Sequence, residues 1–294
     1  MPRRSPGQVR GASVRLAAHP KKGLAQHFLT DRGALARIVE AAELETDDTI
    51  VEVGPGRGVL TRALAARVRR VIAIELDAAL CRDLEREMAP LGNVTVVQGN
   101  ILDADVAALL APSGGPLPPY KVVANIPYYI TGAILRFFLE AAHRPSRLVL
   151  LVQKEVAQSV AAGPGEMSVI GVSVQLYGQP RVMGYVPPGA FHPPPKVESA
   201  ILRIDVYAQP AAGVRDTESF FRVVRAGFSN RRKQIRNALA NGLRVDVGLA
   251  GRWLAESGID ATRRPQTLSV EEWALLADVV RREAGAQDAP GAES

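Results

Sequence analysis

Apolar and polar positions along the chain follow two regimes, one suited to a parallel sheet with covering helices and one suited to helices alone. In the first regime, short runs of β-branched residues recur between amphipathic stretches. Thr49–Val53 carries Ile50, Val51 and Val53 and reads as a buried parallel strand. Val59–Ala65 follows with an apolar face at helical spacing. Val71–Asp77 reads as a second strand ending in acids, with a helix over Ala78–Met88. Further strands are predicted at Asn93–Val97, Lys121–Ala124 and Leu148–Val152, the last running into a helix that opens at Gln153–Val156. Ser173–Leu176, Pro180–Val186 and Ala200–Val206 read as the late strands. A helix over Arg32–Ala42 precedes all of these, and residues 112–119 form a loop rich in Pro and Gly.

From Thr217 the period becomes helical throughout, over Glu218–Gly227, Lys233–Asn241, Val247–Ser257 and Val270–Ala284. Ser269 with Glu272 has the spacing of a capping box for the last of these. Residues 208–216 read as a linker. The division that results is a catalytic domain over 23–207 and an all-helical domain over 208–284, with disordered tails at 1–22 and 285–294.

The strand at Thr49–Val53 is broken by Gly54, Gly56 and Gly58, at every second position, before the helix restarts. Strand, tight glycine turn and helix make the first half of a nucleotide-binding unit, so the fold class is α/β, a Rossmann-like sheet with a smaller C-terminal helical domain. Glycines let a ligand approach the backbone because no Cβ intervenes. A dinucleotide fingerprint spaces its glycines as G-x-G-x-x-G and aims a helix N-terminus at a pyrophosphate. Here the spacing is E-x-G-x-G-x-G, with Glu52 just ahead of the turn. An anion beside Glu52 is repelled and a cation is not. S-adenosylmethionine, with its sulfonium and amino acid end, fits these electrostatics better than NAD. The competing reading is a glycine turn that only closes a strand–helix corner.

Net charge is +6, with 47% hydrophobic and 22% charged residues, an ordinary balance for a globular chain. The distribution of charge is more informative. Residues 1–22 contain six Lys and Arg and no acid, and Arg222, Arg225, Arg231, Arg232, Lys233 and Arg236 form a second cluster. Two basic segments point to a polyanionic partner, against the alternatives of solvated surface charge or, for residues 1–22, an organelle transit peptide. No apolar run approaches the ~18 residues that span a bilayer, so no membrane is expected. The single cysteine, Cys81, suggests a reducing compartment and a packing role. The four histidines are scattered with no ligand spacing, so no metal is expected.

Candidate chemistry gathers at strand ends. Glu75 closes the second strand about 20 residues past the glycine turn, where an acid can accept both hydroxyls of a ribose. Asn100 and Ile101 follow the third strand; the amide suits an adenine edge and the isoleucine its face, with a simple turn asparagine as the rival. Asn125-Ile126-Pro127-Tyr128 leaves the fourth strand. Asn125 offers a carbonyl acceptor, Pro127 fixes the turn without an N–H, and Tyr128 offers a ring for a base to stack on. An exocyclic aromatic amine is a poor nucleophile. Two acceptors holding its hydrogens aim its lone pair at an electrophilic methyl, so positioning and electrostatics replace a strong base. Downstream, prolines around Phe191 are expected to hold that ring outward, to sandwich a flipped adenine against Tyr128, with a core anchor as the alternative. The stretch Gly23–Leu29 is either an entry segment with apolar anchors or a pocket wall, to which Gln26 and His27 bring hydrogen-bonding groups.

Taken in order, Gly23 to Leu29, Val51–Gly58, Ile74–Asp77, Asn125–Tyr128, Gln153–Val156 and Phe191–Ser199 resemble the ribosomal RNA adenine N6-dimethyltransferases over about residues 23–280. Phe228–Asn237 is most similar to the branch acting on small-subunit (16S) rRNA. The resemblance implies that His27, Leu29, Gly54, Glu75, Asn100 and Asn125 contact S-adenosylmethionine, joined by Gly56 and Ile101 from the reading above. It implies transfer of two methyls to N6 of each of two adjacent adenosines in a hairpin loop near the 3′ end of 16S rRNA, within the immature small subunit. A cytoplasmic monomer is expected. In the family Asn often stands at the position of His27, and Asp at that of Asn100; both replacements here can still hydrogen-bond. Rival classes are a macrolide-resistance type enzyme acting on large-subunit rRNA, an assembly factor acting mainly by binding, an NAD-type dehydrogenase and a DNA adenine methyltransferase.

Overall fold

A computed structural model describes residues 27–287, with side chains through Glu283. The chain runs β1 (Phe28–Leu29), α1 (Arg32–Ala41), β2 (Thr49–Val53), α2 (Val59–Ala65), β3 (Arg70–Glu75), α3 (Ala78–Met88), β4 (Val94–Gln98), α4 (Val106–Leu110), β5 (Lys121–Asn125), α5 (Thr131–Leu139), β6 (Arg147–Gln153), α6 (Lys154–Ala161), α7 (Val169–Tyr177), β7 (Gly178–Val186), β8 (Phe191–His192) and β9 (Ser199–Val206). Four helices follow: α8 (Thr217–Gly227), α9 (Ile235–Leu243), α10 (Val247–Glu256) and α11 (Val270–Gln287). Residues 1–26, which hold the basic segment and the Gly23–Gln26 part of the lead-in stretch, and residues 288–294 lie outside the described residues.

Seven strands form one sheet in the order β4-β3-β2-β5-β6-β9-β7. β4, β3, β2, β5 and β6 are parallel, whereas β9 is antiparallel to both β6 and β7. β2 and β5 flank the point where strand order reverses, and their carboxyl ends open the crevice in which such sheets bind ligands. Helices cover both faces of the sheet core. β2 is buried along its whole length, as are the middles of β5 and β6. β7, the edge strand, instead alternates exposed and half-buried positions.

A second, two-stranded sheet pairs β1 with β8 antiparallel, Phe28 opposite His192 and Leu29 opposite Phe191. This pairing straps the start of the described chain over the glycine turn. Asp31 ends the strap by accepting from the Ala34 amide at 2.6 Å, which caps α1.

Two expectations change. Ser173–Leu176 is helix, not strand. Ser168 caps α7 by accepting from the Gly171 amide at 3.1 Å. A Cβ at Gly171 would meet the Ser159 carbonyl at 2.8 Å, so α6 and α7 pack close together. Ser173, Val174, Gln175 and Leu176 alternate polar and apolar residues, the period of a strand, although they lie on one turn of helix with Val174 and Leu176 buried. The last helix also runs past Ala284 to Gln287.

The helical domain docks firmly. Val172, Leu176 and Tyr177 share one apolar cluster with Phe220, Phe221 and Val224. The amides of Gly165 and Met167 both donate to the Gln266 carbonyl, at 2.8 and 3.1 Å. The capping box forms as its spacing suggests: Ser269 N–H donates to Glu272 at 2.8 Å and Glu272 N–H to Ser269 Oγ at 3.3 Å.

Candidate active site

The crevice at the β2–β5 reversal is a cavity of about 800 Å3, within the range of ligand pockets. Its floor is the glycine turn. Gly54, Gly56 and Gly58 have φ of 65, 57 and 73°, the left-handed region that side chains rarely adopt. A Cβ at Gly56 would lie 2.9 Å from the Phe28 ring of the strap. The Arg57 guanidinium in turn sits 4.7 Å over that ring.

Asn125 is the last residue of β5 and lines the cavity. Its Nδ2 donates to the His27 carbonyl at 3.1 Å. That bond fixes the amide nitrogen toward the strap through one of its two hydrogens, and Oδ1 remains the amide's acceptor. Ile126 anchors the next position in the core at 2% exposure. Pro127 then turns the chain and joins the lining. Tyr128 is half-buried. Its ring stacks on His27, with centroids 6.3 Å apart and planes at 26°. Its hydroxyl hydrogen-bonds Ser199 Oγ at 2.5 Å. His27 Nδ1–H donates to the Pro193 carbonyl at 2.8 Å, closing the strap.

Glu52 faces the same cavity, 1% exposed. Burial, with a smaller contribution from Glu75, pushes its carboxyl up to about 8. Its Oε2 has no hydrogen-bond partner among the described residues. An orphaned buried carboxyl oxygen beside a glycine turn, able to ionise against an ammonium group, fits an amino acid end such as that of S-adenosylmethionine.

The structure therefore brings His27, Leu29, Gly54, Gly56, Asn125, Pro127 and Tyr128 into one cavity. Glu75, Asn100 and Ile101 are not among the lining residues, although Glu75 lies directly behind the glycine turn. Glu75, 1% exposed, accepts from the Gly56 and Asp77 amides at 3.0 and 2.9 Å. Burial raises its pKa. Asn100 is taken up locally, accepting from the Leu102 amide at 3.2 Å and donating to Asp103 at 2.9 Å. Ile101 is 4% exposed in the main core.

Phe191 is a correction. It is not held outward but is 4% exposed, packed with Leu29, Ala190 and Ile201. Its pairing opposite Leu29 turns it into the core, and the neighbour His192 lines the cavity instead. The exposed aromatic at the cavity is Tyr129, 69% exposed, which the motif reading passed over although it stands beside Tyr128. Arg57, Gln153 and Ser199 were given no site role either, although each lies in a stretch that carries the resemblance. Cys81 is buried, and burial raises its thiol pKa, which suits packing rather than nucleophilic chemistry.

The second basic cluster is a surface of the helical domain. Arg222, Arg225, Arg231, Arg232, Lys233 and Arg236 are all exposed. Arg231 is diverted, donating to the Met167 carbonyl at 3.1 Å and so tying α8–α9 to the sheet domain. The side chains of the other five make no ion pair among the described residues. Among those residues no helix is long and apolar enough to cross a membrane.

Comparison with known proteins gives a consistent picture. Residues 18–281 match the family described as Ribosomal RNA adenine dimethylase. A Dehalococcoides mccartyi protein named Ribosomal RNA small subunit methyltransferase A is 46% identical over 257 residues, 87% of each chain. The Moorella thermoacetica protein of the same name is 44% identical over 263 residues, covering 87% of this chain and 91% of the relative. Among solved structures, the 23S rRNA methyltransferase ErmE is 29% identical with a TM-score of 0.67, over 86% of this chain and 99% of its own. A dimethyladenosine transferase from Plasmodium falciparum, 22% identical, superposes with a TM-score of 0.70 over 88% and 98% of the two chains, a likeness of fold.

Proposed function

The chain belongs to the ribosomal RNA adenine dimethylase family, and from that premise we propose that it dimethylates N6 of two adjacent adenosines in a hairpin loop near the 3′ end of 16S rRNA. The immature small subunit is the substrate, and the enzyme works as a cytoplasmic monomer. Its methyl donor is S-adenosylmethionine, which supplies an electrophilic methyl on a sulfonium. Identity of 44–46% to proteins named for the small subunit, against 29% to a 23S enzyme, favours the small-subunit branch over the macrolide-resistance type.

One observation carries the chemistry: Asn125 lines the glycine-floored cavity with its amide nitrogen bonded to the His27 carbonyl, which leaves Oδ1 to accept. An adenine N6 amine has hydrogens to give and a lone pair that resonance withholds. Asn125 Oδ1 accepts one N6 hydrogen, and the rigid turn through Pro127 presents a backbone carbonyl for the other. Held this way, the nitrogen moves toward pyramidal geometry with its lone pair directed along the cavity. Tyr128 supplies the stacking face. Glu52 holds the ammonium end of the donor. Glu75 has lone pairs beyond the two used by Gly56 and Asp77, and these take ribose hydroxyls. Arg222, Arg225, Arg232, Lys233 and Arg236 grip phosphates and set register without reading sequence.

The test is incubation with labelled methyl donor and unmethylated small subunits, then with large subunits, followed by mapping of the labelled nucleosides. Dimethyladenosine at adjacent positions of 16S rRNA is the expected product. Label confined to large-subunit RNA would establish the rival branch.

A further inference from the structure

The hydroxyl pair joining Tyr128 to Ser199 spans two positions of the sheet. Tyr128 follows β5, and Ser199 opens β9; β6 lies between them in strand order. Ser199 is fully buried, opposite Gln153 at the end of β6 and Val186 at the end of β7. A buried hydroxyl seeks a partner, and its side-chain partner here is the Tyr128 phenol at 2.5 Å. The Tyr128 backbone is pinned as well, its carbonyl accepting from Thr131 Oγ1 at 3.0 Å. With the hydroxyl, the carbonyl and one ring face against His27 all fixed, the ring has one orientation left. Its neighbour Tyr129 has no such tether and stands 69% exposed.

Resting on the reading of Tyr128 as the stacking face, we infer that Ser199 is a positioning residue for the second methyl transfer: by tethering the Tyr128 hydroxyl it fixes the plane on which an already monomethylated adenine lies. The first transfer starts from an amine with two hydrogens, both of which can be held by acceptors around Asn125. Monomethylation removes one of them. The remaining N–H allows the base to swivel, and the stacked ring carries more of the alignment. A slackened ring therefore slows the second transfer more than the first, and monomethyl product accumulates.

Ser199→Ala and Tyr128→Phe each delete the bond from one side while keeping the fold's apolar contacts, and Tyr128→Phe keeps the ring. Both variants and the double variant are assayed on unmethylated small subunits, counting N6-monomethyl and N6,N6-dimethyl adenosine over time. S-adenosylmethionine affinity is measured by calorimetry. The expected result is a second-step rate lower by about three- to tenfold in each single variant. The double variant should lose no more than either single, with unchanged donor affinity and a raised mono-to-dimethyl ratio. An unaltered product ratio in Tyr128→Phe overturns the inference, as does a shift in Ser199→Ala alone. Tyr128→Ala separates the two levels. If it turns over normally, the stacking role itself fails; if it is inactive while Tyr128→Phe is normal, only the tether fails.

Discussion

The side chain of Asn125 and the backbone of His27 are joined by a 3.1 Å hydrogen bond across 98 positions of sequence. The contact makes the strap part of the site through its main chain rather than its side chain. His27→Ala should therefore keep the Asn125 orientation while losing the stack on Tyr128 and the bond to Pro193. An aromatic pair is worth about 0.5–1.5 kcal/mol, so methyl transfer is expected to fall by about tenfold or less. Steady-state rates on small subunits check this.

Glu52 makes a prediction about pH. Its carboxyl titrates near 8 in the fold, raised from 4.5 by burial. Between those values the folded protein holds a proton that the unfolded chain has lost, so stability falls as pH rises from about 4.5 to 8 and levels above. Glu52→Gln should remove that slope and leave the unliganded protein more stable at neutral pH. The same substitution should weaken S-adenosylmethionine, because an ammonium prefers the ionised acid. Wild-type donor affinity should rise as pH approaches 8. Thermal melts and calorimetry from pH 5 to 9 read both effects.

Gly56→Ala places a side chain where φ is 57° and where the Phe28 ring lies 2.9 Å away. Left-handed backbone costs a non-glycine residue about 1–2 kcal/mol, and the ring must also move. Lower stability together with weaker donor binding is expected, since the strap and the floor of the cavity meet at this residue. A fall in melting temperature with unchanged donor affinity would show the strap to be independent of the cofactor site.

Much of this was legible in local sequence. The E-x-G-x-G-x-G turn, the strand ends carrying Asn125 and Glu75, and the Ser269–Glu272 box each depend on a few neighbouring residues. What escaped depends on distant ones. The β1–β8 pairing has no local signature, and it decides that Phe191 packs inward and His192 outward. α7 escaped because Ser173 to Leu176 alternates polar and apolar residues at the period of a strand. Asn100 takes the turn role that its type already offered, whereas the bonds of Glu75 to the Gly56 and Asp77 amides escaped because identity alone does not reveal a main-chain partner.

The exposed cations of the helical domain should act through counterion release. Arg232→Ala and Lys233→Ala are each expected to weaken small-subunit binding at all sequences alike and to lower the salt slope by about one. Arg231→Ala should behave differently. Its tie to Met167 means that removal also lowers stability, seen as an earlier thermal transition. Binding titrations across a salt series, with parallel melts, separate the two behaviours.

Asn125→Ala removes the acceptor oxygen and leaves the glycine turn, Glu52 and Glu75 in place. Single-turnover methyl transfer to unmethylated small subunits, measured beside calorimetric donor binding, is the most direct measurement. A loss of about 10²–10³-fold or more in rate, with donor affinity within a few-fold of wild type, is the predicted result. Near-normal turnover, or a rate loss matched by equal loss of donor affinity, would contradict the assignment of that oxygen to the amine.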